Sequence, residues 1–224
     1  MRRVPTAELL DSDAGTSAEI AASLSDLEFF NRCFGGVATT ESMLAHVAAS
    51  LARSSLSFLE VASGSGYVAD ATQRRLEKRG IQLEITLSDR SRLHLKNGNR
   101  AVAADAMALP FHNCSFDVVS CNLFAHHLAP SELQRFADEA LRVCRVAVLI
   151  NDLIRHPLHL ALVYAGMPLY RSRITRHDAP VSVRQAYTPE EMRELLLHTA
   201  AGRVEIYHYY LFRMGVIVWK ANNS

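Results

Sequence analysis

The chain has 224 residues, 49% of them hydrophobic, 21% charged and 8% aromatic, with 24 Lys+Arg against 23 Asp+Glu. This excludes a disordered chain, which would be poorer in apolar residues and richer in net charge, and 10 Gly with 7 Pro exclude a collagen-like or low-complexity one. A net charge of +1 argues against a dedicated nucleic-acid binder, whose phosphate contacts need a basic face.

The length fits a single domain, with a core large enough to fold without disulfide staples. Cys33, Cys114, Cys121 and Cys144 are scattered with no C-x-x-C pair, so neither a metal site nor a redox motif is expected, and a reduced, cytoplasmic setting is the simplest expectation. Met1-Arg2-Arg3-Val4-Pro5 is basic, but Glu8 and Asp11 follow instead of an apolar run, so no secretory signal is expected. No uncharged apolar stretch reaches about 18 residues, so no transmembrane segment is expected.

In chain order, residues 1–16 read as loose and polar. Ile20, Leu24, Leu27, Phe30 and Phe34 recur at helical spacing from Ser17, and Gly35-Gly36 stops that helix. Thr39-Thr40-Glu41 opens a second helix carrying Met43, Leu44, Val47 and Leu51. A buried strand, 57–62, leads through Ser63-Gly64-Ser65-Gly66 into a helix running to Arg79 and closed by Gly80. Then come a strand at 83–89, a short helix at 91–97, a strand at 101–105 and a strand at 116–122. A helix starts at Pro130, with Ser131 as its expected N-cap, and a strand follows at 145–152. This alternation implies βαβ units and a mostly parallel sheet with helices on both faces.

The last third differs. Residues 153–187 are rich in His and Arg, with a helix expected inside 157–171. Thr188-Pro189-Glu190-Glu191 carries the N-cap, first-position Pro and third-position Glu of a helix start. The β-rich runs 203–210 and 213–220 suggest an antiparallel hairpin.

The turn from Glu60 to Gly66 joins a buried strand to a helix, and its glycines permit a close backbone approach to a ligand. It is neither G-x-G-x-x-G nor a P-loop, and an ordinary strand-to-helix turn would read the same. Asp89 ends the next strand, where an acid can accept hydrogen bonds from a ribose diol or simply cap a helix. Asp105-Ala106 ends the third strand ahead of Leu109-Pro110-Phe111, and Phe116-Asp117-Val118-Val119 leads into Cys121-Asn122-Leu123-Phe124-Ala125-His126-His127. All of these strand ends fall at the carboxyl edge of a parallel sheet, where open α/β folds bind ligands.

Together this ordered set resembles the class I S-adenosylmethionine (SAM) dependent methyltransferases of small molecules. The subtype it resembles is like the ubiquinone/menaquinone-biosynthesis enzymes and associated with polyketide or quinone pathways. The resemblance is strong over 55–152, and the C-terminal hairpin fits that family's last strand pair. The departure is Ala62, where many members have the first glycine.

The resemblance implies a Rossmann-like α/β fold: a seven-stranded, mostly parallel sheet with an antiparallel C-terminal hairpin and helices on both faces. It implies one domain over 1–224, made of an N-terminal helical cap (1–54), a SAM-binding core (55–152), a substrate lid (153–187) and a C-terminal helix with hairpin (188–224). The cofactor implied is SAM, with S-adenosylhomocysteine (SAH) as product. By the same resemblance Gly64 and Gly66 approach the methionine part of SAM, backbone groups of Ala62 and Ser63 contribute, and Glu60 orients the turn. Asp89 takes the ribose hydroxyls with Arg90 beside the adenine. Asp105 meets the adenine amino group with Ala106 and Met107 alongside. Asn122 and Leu123 line the methionyl end, and Arg32 pairs with the SAM carboxylate, unless it is a surface arginine.

The acceptor side has more than one reading. His126 and His127 follow the fourth strand, where a histidine can take the proton of a hydroxyl acceptor, and only one of them is expected in the pocket. His177 with Asp178 is a second candidate base pair, and Arg184, Asp152 and Arg155 are candidate substrate contacts at the pocket mouth. Leu158 to Tyr170 either roofs a greasy substrate or packs in the core. The expected reaction is methylation of a hydroxyl on a phenolic, quinone or polyketide-like compound in bacterial secondary metabolism. Carbon methylation and a non-catalytic partner role are the alternatives. A nucleic-acid substrate is disfavoured because Cys121-Asn122-Leu123-Phe124 lacks the Pro-Pro-aromatic ending of base-amino methylation. A nicotinamide oxidoreductase is disfavoured by the glycine spacing and the hairpin.

Overall fold

Seven strands are present in the computed structural model, which describes residues 1–12, 14–92, 95 and 100–221. They are β1 (Ser55–Val61), β2 (Gln82–Asp89), β3 (Arg100–Ala103), β4 (Phe116–Asn122), β5 (Cys144–Leu153), β6 (Ala201–Tyr209) and β7 (Arg213–Lys220). They form one sheet in the order β3-β2-β1-β4-β5-β7-β6. The first five are parallel, while β7 runs antiparallel to both β5 and β6. The expected mixed sheet with its antiparallel C-terminal pair is the one that forms.

Strand alternation divides the core in two. Phe58, Val118, Leu149 and Ile217 face α2 (Gly36–Leu51) and α3 (Tyr67–Glu77), where Met43, Leu44 and Leu76 meet them. Leu59, Val119, Ile150 and Val216 face α4 (Pro130–Val143) and α7 (Pro189–Leu197), which contribute Leu133, Phe136, Met192 and Leu196. Each such side chain taken fully out of water contributes about 1.5–3 kcal/mol. Toward the carboxyl edge the first face turns polar, with Glu60, Asp89, Ser120, Asn151 and Arg213 all buried. This change of chemistry positions the site.

Helix ends depart from expectation for physical reasons. Helix α1 (Ser17–Cys33) is capped by Thr16, whose side chain accepts from Glu19 N–H while Glu19 accepts from Thr16 N–H. Helix α2 begins at Gly36, not at Thr39-Thr40. Gly35, at φ 82°, turns the chain, and a Cβ on Gly36 would lie 2.1 Å from the Asn31 side-chain oxygen. Thr40, expected near the start, instead folds its hydroxyl back on the Gly36 carbonyl. Helix α4 is capped from position 129: Glu132 accepts from the Ala129 N–H at 2.7 Å, and Ser131 lies inside the helix. Helix α3 stops at Glu77, short of Arg79, and Gly80 (φ 77°) closes the turn after it. The helix expected at 91–97 lies largely outside the described residues.

Two larger corrections concern segments read as irregular. Residues 1–12 are not loose. Val4 N–H bonds to Arg184 O, Leu9 and Leu10 N–H bond to the Asp178 carboxylate, and Arg3 bonds to the carbonyls of His126, Leu128 and Gln185. The His- and Arg-rich stretch after 171, for which no element is expected from sequence, is helix α6 (Arg173–Gln185), which follows α5 (Pro157–Gly166). Ser172 caps α6 by accepting from Ile174 N–H, and Pro180 sits within it. A mid-helix proline argues against a helix in sequence. Here buried Ile174, Asp178 and Val181 hold the segment helical against it.

Candidate functional site

The turn after β1 is bent by positive φ at three positions: Ala62 (52°), Gly64 (52°) and Gly66 (72°). An L side chain strains this conformation, which explains why glycine commonly stands where Ala62 does here. Ser63 N–H bonds to Ser88 O, and Gly66 N–H bonds to Ser63 O. A Cβ at Gly64 would meet nothing within 4 Å, whereas one at Gly66 would lie 2.5 Å from the Leu87 side chain. Gly64 therefore borders open space, and Gly66 is a packing glycine. Asp89 ties the turn down, accepting from Gly64 N–H (2.8 Å) and Ser91 N–H (2.9 Å).

A cavity of about 1090 Å³ opens at this edge. One end is lined by Ala62, Ser63, Gly64, Asp89, Arg90 and Leu123. Its walls are apolar, with Phe29, Phe30, Leu162, Leu169, Tyr170 and Leu211. A polar corner of Glu8, Asp11, His126 and His127 also belongs to the lining. Arg213, also in the lining, is buried, and its hydrogen bonds go to amide oxygens of Asn151 (3.0 Å), Asn122 (3.2 Å) and Asn31 (3.4 Å). Burial lowers its pKa to about 10, against Asp152, so it remains a cation at neutral pH.

The two histidines differ. His126 is buried, with Nδ1 2.6 Å from one oxygen of Asp152 and Nε2 3.5 Å from Glu8. Burial opposes its charge, but these carboxylates lift its pKa to about 10. In turn, and against their own burial, Asp152 and Glu8 are held below the usual carboxylate range by His126. His126 is an imidazolium with both nitrogens taken up, which is not the state of a proton acceptor. His127 is less buried, with Nδ1 2.8 Å from Asp11 and Nε2 4.0 Å from Glu8 Oε2. Glu8 Oε1 is fixed by Ser182 (2.6 Å) and Gln185 (2.7 Å). Glu8, His126 and His127 bring ligand atoms within 4.8 Å of one another, the spacing of a cation site.

Of the other expected site residues, Asn122, Leu123 and Asp178 line this cavity, and others lie apart from it. Arg32 is exposed, its guanidinium 5.9 Å from the Phe29 ring centre, and the arginines lining the cavity are Arg90 and Arg213. Asp105 is exposed and accepts from Met107 N–H; with Ala106 it forms the turn after β3. Glu60 is fully buried with Oε2 unpartnered, and burial pushes its carboxyl up to about 8. Asp152 and Arg155, expected at the mouth, are interior: Arg155 binds the carbonyls of Met1 and Ala186 and pairs with Glu191. His177 is half-exposed, and its partner Asp178 lines the cavity but is occupied by Leu9 and Leu10 N–H. Arg184 is exposed and donates to the Tyr164 hydroxyl. Asn122 donates to Asn31 and, with Leu123 (φ 52°), lines the cavity.

Sequence reading assigns no role to Glu8, Asp11, Asn31 or Arg213. Glu8 and Asp11 sit in a polar segment with no periodicity. Arg213 begins a strand whose pattern is otherwise apolar, and an arginine leading into Met214-Gly215-Val216 is the one signal that could have marked it.

Residues 59–149 match the family model described as a methyltransferase domain. Among solved structures, the plantazolicin methyltransferase BpumL in complex with a triazolic desmethylPZN analog and SAH superposes with a TM-score of 0.68 at 12% identity, covering 95% of this chain and 94% of that one. The magnesium protoporphyrin IX methyltransferase ChlM from Synechocystis with bound SAH gives 0.53 at 14% identity, covering 84% of each chain. A methyltransferase from Bacillus halodurans gives 0.50 at 17%, covering 80% of this chain and 97% of that one. A search of the curated proteins finds no match.

Proposed function

We infer that this chain, a class I SAM-dependent methyltransferase by its domain match and fold, methylates a hydroxyl of an apolar, ring-bearing small molecule. The observation that carries this reading is the cavity itself, whose lining joins aromatic and aliphatic side chains to a polar corner of Glu8, Asp11, His126 and His127. Such walls hold a flat phenolic or quinol-like body by contact, while the corner fixes the one group that must be oriented.

The residues beside the Gly64 turn fit the cofactor. The open space over Gly64 admits a close ligand, and buried Ser63 Oγ lacks a partner. Arg213 supplies a buried cation for the carboxylate of the methionyl end, in place of Arg32, and Asn122 and Leu123 line that end. Asp89 has the position for the ribose, with Arg90 alongside. When bound, SAM supplies an electrophilic methyl group on a positively charged sulfur.

The chain's own residues do the rest. Phe29, Phe30 and Tyr170 hold the acceptor ring so that its oxygen approaches in line, and positioning of this kind supplies much of the rate. Asp11 holds Nδ1 of His127, leaving Nε2 to take the hydroxyl proton. Incubation with SAM and a panel of phenols and hydroquinones tests this, with SAH release and NMR of the product as readouts. O-methyl product that disappears in His127→Ala supports the reading. C-methyl product, or full turnover in that variant, overturns it.

A further inference from the structure

From Pro157 to Tyr170 the chain carries no charged residue. Helix α5 fills most of this stretch and is apolar around its whole circumference, and such a helix normally lies inside a core or in lipid. Here His159 is its one buried residue, while Leu158 is 54% exposed, Leu162 45% and, just beyond, Leu169 73%. Neither reading of this segment from sequence anticipates so much exposure.

Aromatic rings stand around this exposed surface: Phe29, Phe34, Phe30 and the buried Tyr170 touch ring to ring, and exposed His156 and buried His159 stack on Phe212 in the β6–β7 turn. Exposed Tyr210 and Leu211 stand at that turn. Leu162, Leu169 and Leu211 also line the cavity, so the patch is the rim of its mouth. Soluble surfaces seldom carry apolar patches of this kind without something that covers them.

Charge around the rim favours one partner. Arg184 donates to Tyr164 Oη (2.7 Å), Arg176 donates to Tyr170 O (3.0 Å), and Arg171 follows directly; all three are exposed. Glu28 and Asp11 line the cavity, held by Ser65 and His127, and three further acids have partners of their own. Asp26 is buried against Arg171 and Ser172 N–H, Asp178 against Leu9 and Leu10 N–H, and Glu19 pairs with Arg173. An exposed apolar helix with arginines on the turn and helix that follow it suits an anionic bilayer surface, where leucines enter the acyl boundary and arginines meet the headgroups.

We propose that the rim of the cavity docks on an anionic lipid surface, with α5 in the interface and Arg171, Arg176 and Arg184 over the headgroups. The cavity mouth then faces the bilayer, and an apolar acceptor passes into it without crossing water. That delivery role rests on the acceptor reading above; the docking does not.

The test is vesicle sedimentation of the full chain without acceptor. Vesicles of phosphatidylcholine alone are compared with vesicles containing about one-third phosphatidylglycerol, at low and high salt. Retention is expected on the anionic vesicles, weakening with salt and falling about fivefold for each arginine replaced by alanine. Leu158→Glu with Tyr210→Glu, two residues outside the cavity lining, should abolish retention and leave SAM affinity unchanged. No retention on anionic vesicles at low salt overturns the proposal, as does equal retention of the double variant. Concentration-dependent dimers that the double variant abolishes, without vesicle retention, assign the patch to a second copy and also overturn it. Retention with no methylation of any apolar hydroxyl compound leaves the docking standing and sinks the acceptor reading alone.

Discussion

His126 and Asp152 share two hydrogen bonds in the interior: the imidazole Nδ1 lies 2.6 Å from one carboxylate oxygen, and the His126 backbone N–H donates to the other at 2.9 Å. The pair locks the segment after β4 onto the end of β5. The neighbouring His127 lies outside this lock, with its Nδ1 on Asp11.

The first prediction concerns that lock. Removing one partner of a buried ion pair strands the other, so His126→Ala should lose about 3–5 kcal/mol of stability in denaturant unfolding. The histidine's pKa is raised on folding to about 10 from 6.5. Its contribution is therefore fully present below about pH 6.5 and is lost as pH rises through 10. The wild-type chain should lose stability across that window, and Asp152→Asn should flatten the slope. A His126→Ala variant as stable as wild type would show that the pair is not a lock.

His127 should behave differently. His127→Ala should lower kcat by about 10²–10⁴-fold on a confirmed hydroxyl acceptor, with SAM affinity and melting temperature close to wild type. Asp11→Asn should show a smaller loss in the same direction, because it disturbs only the orientation of the ring. Titration calorimetry and steady-state rates separate the two effects.

At the cofactor end, Arg213→Met should weaken SAM and SAH by about 10–100-fold, the range of a charge-assisted hydrogen bond. Methylthioadenosine, which lacks the carboxylate, should bind the variant and wild type alike. Arg32→Ala should leave all three affinities unchanged. Equal weakening of methylthioadenosine would mean that Arg213 supports the site's structure and not the carboxylate.

Glu60 gives a prediction of opposite chemistry. Its folded pKa of about 8 lies above the ordinary 4.5, so the unfolded chain releases this proton first as pH rises. Stability should fall between about pH 4.5 and 8 on this account and stay level above. Glu60→Gln, which keeps the shape and stays neutral, should remove that slope and melt higher than wild type at pH 8. Identical pH profiles for the two proteins would contradict the buried neutral carboxyl.

Much of the frame is legible in sequence because its signals are local. Strand β4 falls at 116–122 as read, since Phe116, Val118, Val119 and Cys121 form a short buried run of strand-forming residues. Thr188 caps α7 as read, because cap, proline and glutamate lie within four positions. The turn around Gly64 and the acid at Asp89 are likewise legible, because each is a strand end. What was not legible depends on distant partners. The segment 1–12 has no pattern of its own and is ordered by carbonyls and carboxylates near 126, 178 and 185. Helix α6 is hidden by Pro180 and its surface arginines. Arg213 draws its partners from α1, β4 and β5, which no spacing rule joins. The histidine pair shows the same limit: adjacency in sequence marks the place, but only Asp152, Glu8 and Asp11 tell the two rings apart.

Ala62 carries a consequence for how the cofactor turn evolves. A methyl group held at φ 52° costs about 1–2 kcal/mol that glycine would not. The same methyl narrows the range of shapes open to the turn when no ligand is bound. Ala62→Gly should therefore make the folded chain more stable and the empty turn more various, so that closing it around a ligand carries a larger entropic cost. A residue that weakens the fold in this way can persist because it keeps the seat ready.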